Sequence, residues 1–281
     1  MSRISGDLIR HRLATRTFGQ NVVYTEQIGS TNTEMKELAR WGAPEGLLYI
    51  TDEQLVGRGR LERRWYAPPG SSLLMSLLFR PAEVLAPSQA QRLTMLCALA
   101  LLEAIELETG LTPRLKWPND LIWQDGKKLA GILTELEIEH EQLSWVVVGV
   151  GLNVNLDFAR QAELDAGYPD QAGNGAPPLV QTATSLSMIL GRDTAELRLP
   201  ILQNFLRSVE RRYEALRQGD LPHREWRSRL AGLDQAVAII HRDTADKQEG
   251  VMVGVNEDGA LLLKQADGSV VTILAGDVTL R

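Results

Sequence analysis

The hydrophobic periodicity of this chain changes near residue 232, and the change limits the folds that it can adopt. Helical repeats and strand-like segments alternate before that point, whereas short segments with two-residue alternation follow it. The dipeptides Asp258-Gly259 and Asp267-Gly268 are hairpin signals in this last part. Because 281 residues can supply more than one core, we predict a large domain over residues 1–232 and a small β-barrel over residues 233–281.

The large domain is predicted to be a mixed β-sheet with helices packed on it, which gives an α+β fold class. Residues 134–139 alternate strictly, as in a strand with one solvated face, whereas residues 145–148 are apolar throughout and fit a strand inside the core or at a pairing edge. The predicted strands are 22–26, 47–54, 71–80, 115–117, 121–123, 128–139 and 145–148; the predicted helices are an opening helix, 31–41, an amphipathic helix over 89–108, 185–190, 194–216 and 223–230; a loop is predicted over 166–178.

Charge and residue counts argue against several classes of protein. The 30 basic and 36 acidic residues give a net charge of -6, which disfavours general electrostatic binding of nucleic acid. The single cysteine, Cys97, lies in an apolar run and is interpreted as a core residue. The four histidines are dispersed and show no metal-ligand spacing, so no metal ligands are assigned. The apolar stretches are shorter than the roughly 20 residues of a membrane span, and we expect a soluble, cytoplasmic protein.

A glycine- and arginine-rich segment, residues 57–65, is the densest unusual feature. It contains four arginines and one glutamate in a chain of net negative charge. Guanidinium groups suit phosphate and carboxylate oxygens, and the glycines permit close approach of the backbone and positive φ. The segment therefore indicates an anion site. A solvated charged hairpin and a basic contact for nucleic acid are the alternatives.

A second group of candidate residues stands at the ends of predicted strands. Lys116, Asn119, Asp120 and Lys128 would supply cations for developing negative charge and a carboxylate that accepts a proton. Taken alone, Asn119-Asp120 fits an Asx turn and Lys128 a solvated hairpin equally well.

Two further segments have a local explanation beside a binding one. Residues 149–153, with the pattern Gly-x-Gly-x-Asn, would bring backbone N–H groups close to a phosphate or sugar, although Val154 does not fit a dinucleotide fingerprint. Ser30-Thr31-Asn32 fits a helix cap, and residues 31–34 form a capping-box pattern. The same side chains would also suit a polar ligand head.

The order of these motifs resembles that of the biotin protein ligases. Ser30-Thr31-Asn32 precedes Glu53-Gln54 and Gly57-Arg58-Gly59-Arg60, and residues 116–120, 128–133 and 149–153 follow. The resemblance implies a class II synthetase-like catalytic domain with an SH3-like C-terminal barrel. It also implies that biotin and MgATP give biotinyl-5′-AMP and pyrophosphate, and that biotin then passes to a lysine of a biotin carboxyl carrier protein or domain.

The resemblance assigns roles to matching positions. The implied catalytic residues are Arg60, Lys128 and Asp120, with Asp120 helping the acceptor lysine to lose its proton. The implied biotin-binding residues are Ser30, Thr31, Asn32, Gln54, Arg58, Gly59, Arg60 and Lys128. The implied nucleotide-binding residues are Arg63, Trp65, Lys116, Asn119 and Asn153. ATP and Mg²⁺ are the implied cofactors and biotin the substrate.

Some features depart from the family pattern or leave it open. Glu62-Arg63 stands where Gly-Arg is common, and Leu55-Val56 replaces a smaller, more polar pair; we expect the loop over 58–63 to be mobile when free and to order around an adenylate. The residues before Ser30 are too few for the winged DNA-binding domain of repressor members, so we expect no specific DNA binding. We also expect no membrane association. The sequence leaves open whether the protein forms a homodimer. The alternatives are a lipoate–protein ligase, an octanoyltransferase with a cysteine nucleophile, and a biotin sensor without turnover.

Overall fold

A computed structural model describes residues 4–60, 65–160, 178–240 and 247–280. In these ranges the chain forms a seven-stranded mixed sheet with helices packed on it and a five-stranded antiparallel sheet. The predicted α+β class with a small C-terminal β-domain is therefore confirmed. Residues 166–177 of the predicted loop and residues 61–63 of the segment expected to be mobile lie outside the described residues.

The strands of the larger sheet are β1 (Val22–Ile28), β2 (Leu48–Gln54), β3 (Ser72–Phe79), β4 (Arg114–Lys116), β5 (Asp120–Ile122), β6 (Lys128–Glu139) and β7 (Gln142–Asn153). They follow the order β1-β2-β3-β7-β6-β5-β4, in which only β1 and β2 are parallel. Because β7 pairs with β3 on one side and β6 on the other, the apolar segment 145–148 lies inside the sheet and not at its edge.

The helices are α1 (Gly6–Arg10), α2 (Thr31–Arg40), α3 (Gln91–Thr109), α4 (Leu179–Thr182), α5 (Leu186–Leu190), α6 (Arg198–Arg217) and α7 (His223–Arg229). Strand β3 shows how they divide between the two faces of the sheet. Leu77 of β3 joins the core that contains α3 and α6, whereas its neighbour Leu78 packs with Met35 of α2. Successive side chains of a strand point to opposite faces, so α2 lies on one face and α3 with α6 on the other.

Helix α3 is buried on most sides, which corrects the prediction of an amphipathic helix. Twelve of its 19 residues are buried, because the helix packs against both the sheet and α6. Cys97 lies in its middle and is completely buried. Burial raises the pKa of the Cys97 thiol far above its usual range, and the interpretation of this residue as core is confirmed.

The C-terminal sheet contains β8 (Ala236–Ile240), β9 (Lys247–Val255), β10 (Leu261–Lys264), β11 (Val270–Ile273) and β12 (Asp277–Leu280), in the order β11-β10-β9-β8-β12. Both predicted hairpin turns are present. Gly259 and Gly268 adopt φ angles of +83° and +86° in the β9–β10 and β10–β11 turns, a conformation that costs glycine little. In the described ranges, no helix combines the length and the apolar character that crossing a bilayer requires.

Candidate functional site

The candidate site residues lie on the sheet face that carries α2. This helix packs on β2, β3 and β7, and it begins with Thr31 and Asn32 above the middle of β7. Asn32 lies above Gly149, and Gly151 follows on the same face of β7; neither glycine adds a side chain to the surface. We call these two residues, next to the start of α2, the glycine floor of the site.

The start of α2 forms a polar cluster in which Ser30, Thr31 and Asn32 are at most 5% exposed. The backbone N–H of Thr31 donates to Gln54 Oε1 at 2.8 Å, and Thr31 Oγ1 lies 3.2 Å from the same oxygen. Asn32 Nδ2 donates to Glu135 Oε2 at 2.9 Å. These hydrogen bonds bring residues from α2, β2 and β6 together at one point.

The prediction that these side chains cap α2 is wrong, although the helix does begin at Thr31. Ser30 is the N-cap residue and makes no side-chain cap hydrogen bond. Ser76 Oγ, from the middle of β3, lies 2.8 Å from Thr31 Oγ1 and donates to Asn32 Oδ1 at 2.6 Å. Tertiary contacts thus take the oxygens that a cap would use, and they fix the orientation of the Asn32 amide.

The two glycines of β7 make room for neighbouring side chains. A Cβ on Gly149 would lie 2.2 Å from Asn32 Oδ1, and a Cβ on Gly151 would lie 2.7 Å from Trp65 Cε2. Residues 149–152 are paired with both β3 and β6, and Asn153 with β3, so the backbone N–H groups of this segment serve the sheet. The prediction that they approach a phosphate or sugar is therefore wrong, and it is the missing side chains that matter.

Trp65 covers the far end of the glycine floor. Its Cζ3 would lie 3.1 Å from a Cβ on Gly131 of β6, and Lys128 Nζ lies 5.5 Å from the centroid of the indole, within cation–π range. The indole Nε1 is buried and has no hydrogen-bond partner among the described residues. This donor is therefore free for a ligand that enters beside the ring.

The arginine-rich segment approaches Trp65 closely at Gly57. The Trp65 N–H donates to the Gly57 carbonyl at 2.9 Å, and a Cβ on Gly57 would lie 2.4 Å from the Trp65 carbonyl oxygen. The close approach here is to the Trp65 backbone, so the predicted approach to a ligand stays a prediction, and the expected positive φ is absent at Gly57. Arg63, a predicted nucleotide ligand, and Glu62 lie outside the described residues.

Arg60 is the described arginine of this segment that reaches other site residues. Its Nη1 lies 3.4 Å from Asn119 Oδ1 and 3.9 Å from Asp277 Oδ1 of β12. Arg58 is exposed and Gly59 is half-buried. Of the two arginines of the segment that the structure describes, one therefore faces the site and the other faces solvent.

Lys128 and Asp120 form an ion pair in which Nζ lies 2.6 Å from Oδ1. The pair joins the first residues of β5 and β6. Asn119 is held by β6 as well, because its Nδ2 donates to the Ile132 carbonyl at 2.5 Å and the Ile132 N–H donates to the Asn119 carbonyl at 3.0 Å. The Asn119 side chain thus contacts β6, where the sequence also allowed a local Asx turn. Lys128 does belong to a hairpin, formed by β5 and β6, but it is half-buried and paired with Asp120.

The two remaining predicted nucleotide ligands differ in their surroundings. Asn153, at the end of β7, is buried and donates to the Thr184 carbonyl at 2.9 Å; its Oδ1 has no partner in the described part of the chain. Lys116 is half-buried on β4, and over the described ranges its side chain forms no hydrogen bond or ion pair. Both side chains keep polar atoms that a ligand can use.

Ser76 and Glu135 were not among the predicted site residues, yet both orient Asn32. Glu135 also forms an ion pair with Lys36, at 2.5 Å. Ser76 had a detectable signal, since it is the one polar residue inside the apolar run Leu73–Phe79 and is completely buried. Glu135 had none, because it belongs to an alternating pattern that is typical of any half-solvated strand.

A buried arginine supports the site from behind. Arg198, at the start of α6, is 3% exposed; it donates through Nη2 to Asp52 Oδ1 at 2.5 Å and through Nε to the Ser72 carbonyl at 3.0 Å. Tyr24 donates its hydroxyl proton to the other Asp52 oxygen at 2.7 Å. The network therefore links β1, β2 and β3 two residues before Gln54, the last residue of β2.

Taken together, these groups suit a ligand that has a hydrogen-bonding head and an anionic end. The amide of Asn32 lies above Gly149, and the ring of Trp65, with Lys128 beside it, lies above Gly151. Two residues of a strand span about 7 Å. Lys128 provides positive charge at that second position, and Arg60 lies beside Asn119. Such cations would stabilise a carboxylate or phosphate.

Comparison with known proteins identifies two matching family models. The biotin/lipoate A/B protein ligase family matches residues 24–153, which contain the whole polar cluster and the glycine floor. The biotin protein ligase C-terminal domain matches residues 232–281, which contain the five-stranded sheet.

Individual relatives agree with these matches. The bifunctional ligase/repressor BirA of Bacillus spizizenii is 34% identical over 280 residues, covering 99% of this chain and 79% of that protein. The biotin–[acetyl-CoA-carboxylase] ligase of Paracoccus denitrificans is 30% identical over 246 residues, covering 85% of this chain and 92% of that protein. The structure of biotin protein ligase from Aquifex aeolicus in complex with biotin and ATP superposes with a TM-score of 0.70 at 27% identity, covering 93% of this chain and 99% of that one. This chain belongs to the biotin protein ligase family.

Proposed function

We propose that this protein activates biotin with ATP to biotinyl-5′-AMP and transfers the biotinyl group to a lysine of a biotin carboxyl carrier protein or domain. The observation that carries the proposal is the arrangement on one sheet face: a fixed amide, a floor of two glycines, and a lysine beside an indole. The similarity to an Aquifex aeolicus structure that holds biotin and ATP supports the same assignment.

The polar cluster is proposed to recognise the fused-ring head of biotin, which both donates and accepts hydrogen bonds. Ser76 and Glu135 fix the Asn32 amide, while Thr31 and Gln54 present a hydroxyl and an amide nearby. A site that is built to hydrogen-bond a ligand rejects analogues without the matching groups far more strongly than an apolar slot does. Ser30, Arg58 and Gly59 are proposed to complete this end of the site.

Lys128 and Arg60 are proposed to act on the carboxylate and the α-phosphate. Both reactants are anions, so two cations lower the repulsion between them and stabilise the charge that develops during attack. A carboxylate oxygen of biotin attacks the α-phosphorus of MgATP, the bond to the bridging oxygen breaks, and pyrophosphate leaves. Trp65, Lys116, Asn119 and Asn153, together with Arg63, are proposed to hold the nucleotide.

Asp120 is proposed to take part in the second step. In the free protein its carboxylate is paired with Lys128 at 2.6 Å. When Lys128 turns to the adenylate, Asp120 becomes available to accept a proton from the acceptor lysine. The neutral amine then attacks the carbonyl carbon of biotinyl-5′-AMP, and AMP leaves.

We further propose that the chain works in the cytoplasm and does not bind DNA sequence-specifically. The net charge of -6 disfavours a general nucleic-acid surface. A mobility-shift assay with operator-like and random duplexes tests the absence of DNA binding, and sedimentation with and without biotin plus MgATP tests whether a homodimer forms.

The decisive experiment measures transfer of labelled biotin, with MgATP, to a carrier domain that contains one acceptor lysine. We expect labelling that depends on ATP and on that lysine, and ATP–pyrophosphate exchange that depends on biotin. A carrier whose lysine is replaced by arginine is the matched control. Exchange stimulated by lipoate and not by biotin, or labelling without ATP, would contradict the proposal.

A further inference from the structure

We infer that the β9–β10 turn of the C-terminal domain positions Asn119 and Asp120 for the nucleotide. Trp117 is the positioning residue that connects the turn to these two residues. The inference rests on the proposed function, since it concerns the same site.

The contact begins at Trp117, which is 2% exposed. Its indole Nε1 donates to the Gly259 carbonyl at 2.9 Å, and the hydrogen bond is buried. A buried donor that loses its partner costs more than the hydrogen bond itself contributes. The position of Trp117 therefore depends on where the turn places the Gly259 carbonyl.

The first residues of α3 fix the position of the β9–β10 turn. Arg92 Nη2 lies 2.7 Å from Asp258 Oδ1, and its Nε donates to the same oxygen at 3.0 Å. A Cβ on Gly259 would lie 2.7 Å from Gln91 Cγ, which shows how closely the turn approaches α3. Gln91 also donates through Nε2 to the Pro118 carbonyl at 3.2 Å.

These contacts hold the two residues on the N-terminal side of Asn119 and Asp120. The Trp117 side chain is held by the turn, and the Pro118 carbonyl is held by α3. On the other side, Asn119 is fixed by Ile132 and Asp120 by Lys128. A shift of the turn would thus move the nucleotide end of the site. Among the described residues, no hydrogen bond or ion pair joins the turn to the polar cluster at Asn32.

Trp117→Phe tests this connection because it keeps the ring and removes the N–H. We expect the KM for ATP in biotin-dependent pyrophosphate exchange to rise by about fivefold, as for a buried hydrogen bond of about 1 kcal/mol. Biotin affinity, measured by calorimetry without nucleotide, should stay within twofold. Gly259→Ala, which is strained by its φ of +83° and by Gln91, should give the same pattern if Trp117→Phe does not fold.

Arg227→Gln is the matched control, because Arg227 Nε donates to the Val253 carbonyl at 3.0 Å and so also joins the two domains, but away from Trp117. It should leave both constants unchanged. Two results would overturn the inference: Arg227→Gln raises the KM for ATP as much as Trp117→Phe does, or the KM is unchanged in both Trp117→Phe and Gly259→Ala. Neither result would refute the proposed function, provided that the wild type still shows biotin-dependent exchange. Absence of biotin-dependent exchange in the wild type would instead refute the function itself.

Discussion

Alanine substitutions at Gly149 and Gly151 should separate the two halves of the site. The residues lie two positions apart on one face of β7, so the added methyl group points in the same direction in both variants. At Gly149 it meets Asn32 Oδ1 at 2.2 Å, and at Gly151 it meets Trp65 Cε2 at 2.7 Å. We predict that Gly149→Ala weakens biotin binding and that Gly151→Ala mainly raises the KM for ATP.

The size of the Gly149→Ala effect follows from the hydrogen bonds of Asn32. A carbon 2.2 Å from an oxygen forces that side chain to move by about 1 Å, which disturbs the bonds to Ser76 and Glu135. A neutral hydrogen bond contributes about 1 kcal/mol and one to a carboxylate about 2 kcal/mol. The displaced amide then no longer meets the ligand head, and losing hydrogen bonds to biotin of a similar combined strength, about 3 kcal/mol, corresponds to biotin binding that is about 150-fold weaker.

Calorimetric titration with biotin in the absence of nucleotide measures this change, and thermal unfolding checks that each variant is folded. Gly29→Ala is the control, because a Cβ on Gly29 meets nothing within 4 Å; it should bind biotin like the wild type. Unchanged biotin affinity in folded Gly149→Ala would refute the assignment of the head group to Asn32. A larger loss of biotin affinity in Gly151→Ala than in Gly149→Ala would do the same.

Three further substitutions test the roles of Lys128, Cys97 and Glu103. Lys128→Gln should lower biotin-dependent pyrophosphate exchange by about a hundredfold or more, whereas Lys127→Gln should not, and equal rates in the two would remove Lys128 from the reaction. Cys97→Ala should keep ATP-dependent transfer, because burial raises the pKa of the thiol and closes it off from substrate; loss of transfer by the folded variant would favour a cysteine nucleophile. Glu103→Gln should make the free energy of unfolding depend less on pH in the acid range. Burial raises the pKa of Glu103, but hydrogen bonds from Ser208 and Arg212 outweigh burial and lower the pKa below its ordinary value of 4.5. The stabilisation is therefore present above about pH 4.5 and lost at lower pH, and urea unfolding between pH 7 and pH 3 should show a smaller decrease in the variant than in the wild type.

Most of the fold could be predicted from the sequence because its signals are local. Alternation identified β6, continuous apolar character identified the interior strand β7, and the Asp-Gly turns identified the hairpins on either side of β10. Helix α3 was interpreted as amphipathic because a repeat of apolar residues does not reveal how many sides are covered. Only the packing of α6 on its outer surface decides that.

The site was predictable by residue type but less so by role. Lys128, Asp120, Asn119 and Arg60 come together as their order along the chain suggested. The hydroxyl of Thr31 was misread, because a capping pattern and a tertiary hydrogen-bond cluster use the same residue types. The partner that distinguishes them, Ser76, is 45 residues away in sequence, and such a pairing becomes visible only through the register of the sheet.

The buried arginine behind the site sets the order in which the protein can be completed during translation. Asp52 and Arg198 are 146 residues apart in the sequence. At about 5–20 residues per second, a ribosome needs about 7 to 30 s to add the second after the first. Until then, the Asp52 carboxylate, which accepts a hydrogen bond from Tyr24 of β1, lacks the guanidinium that also binds the Ser72 carbonyl of β3, so this link between the first three strands forms only after residue 198 has been added.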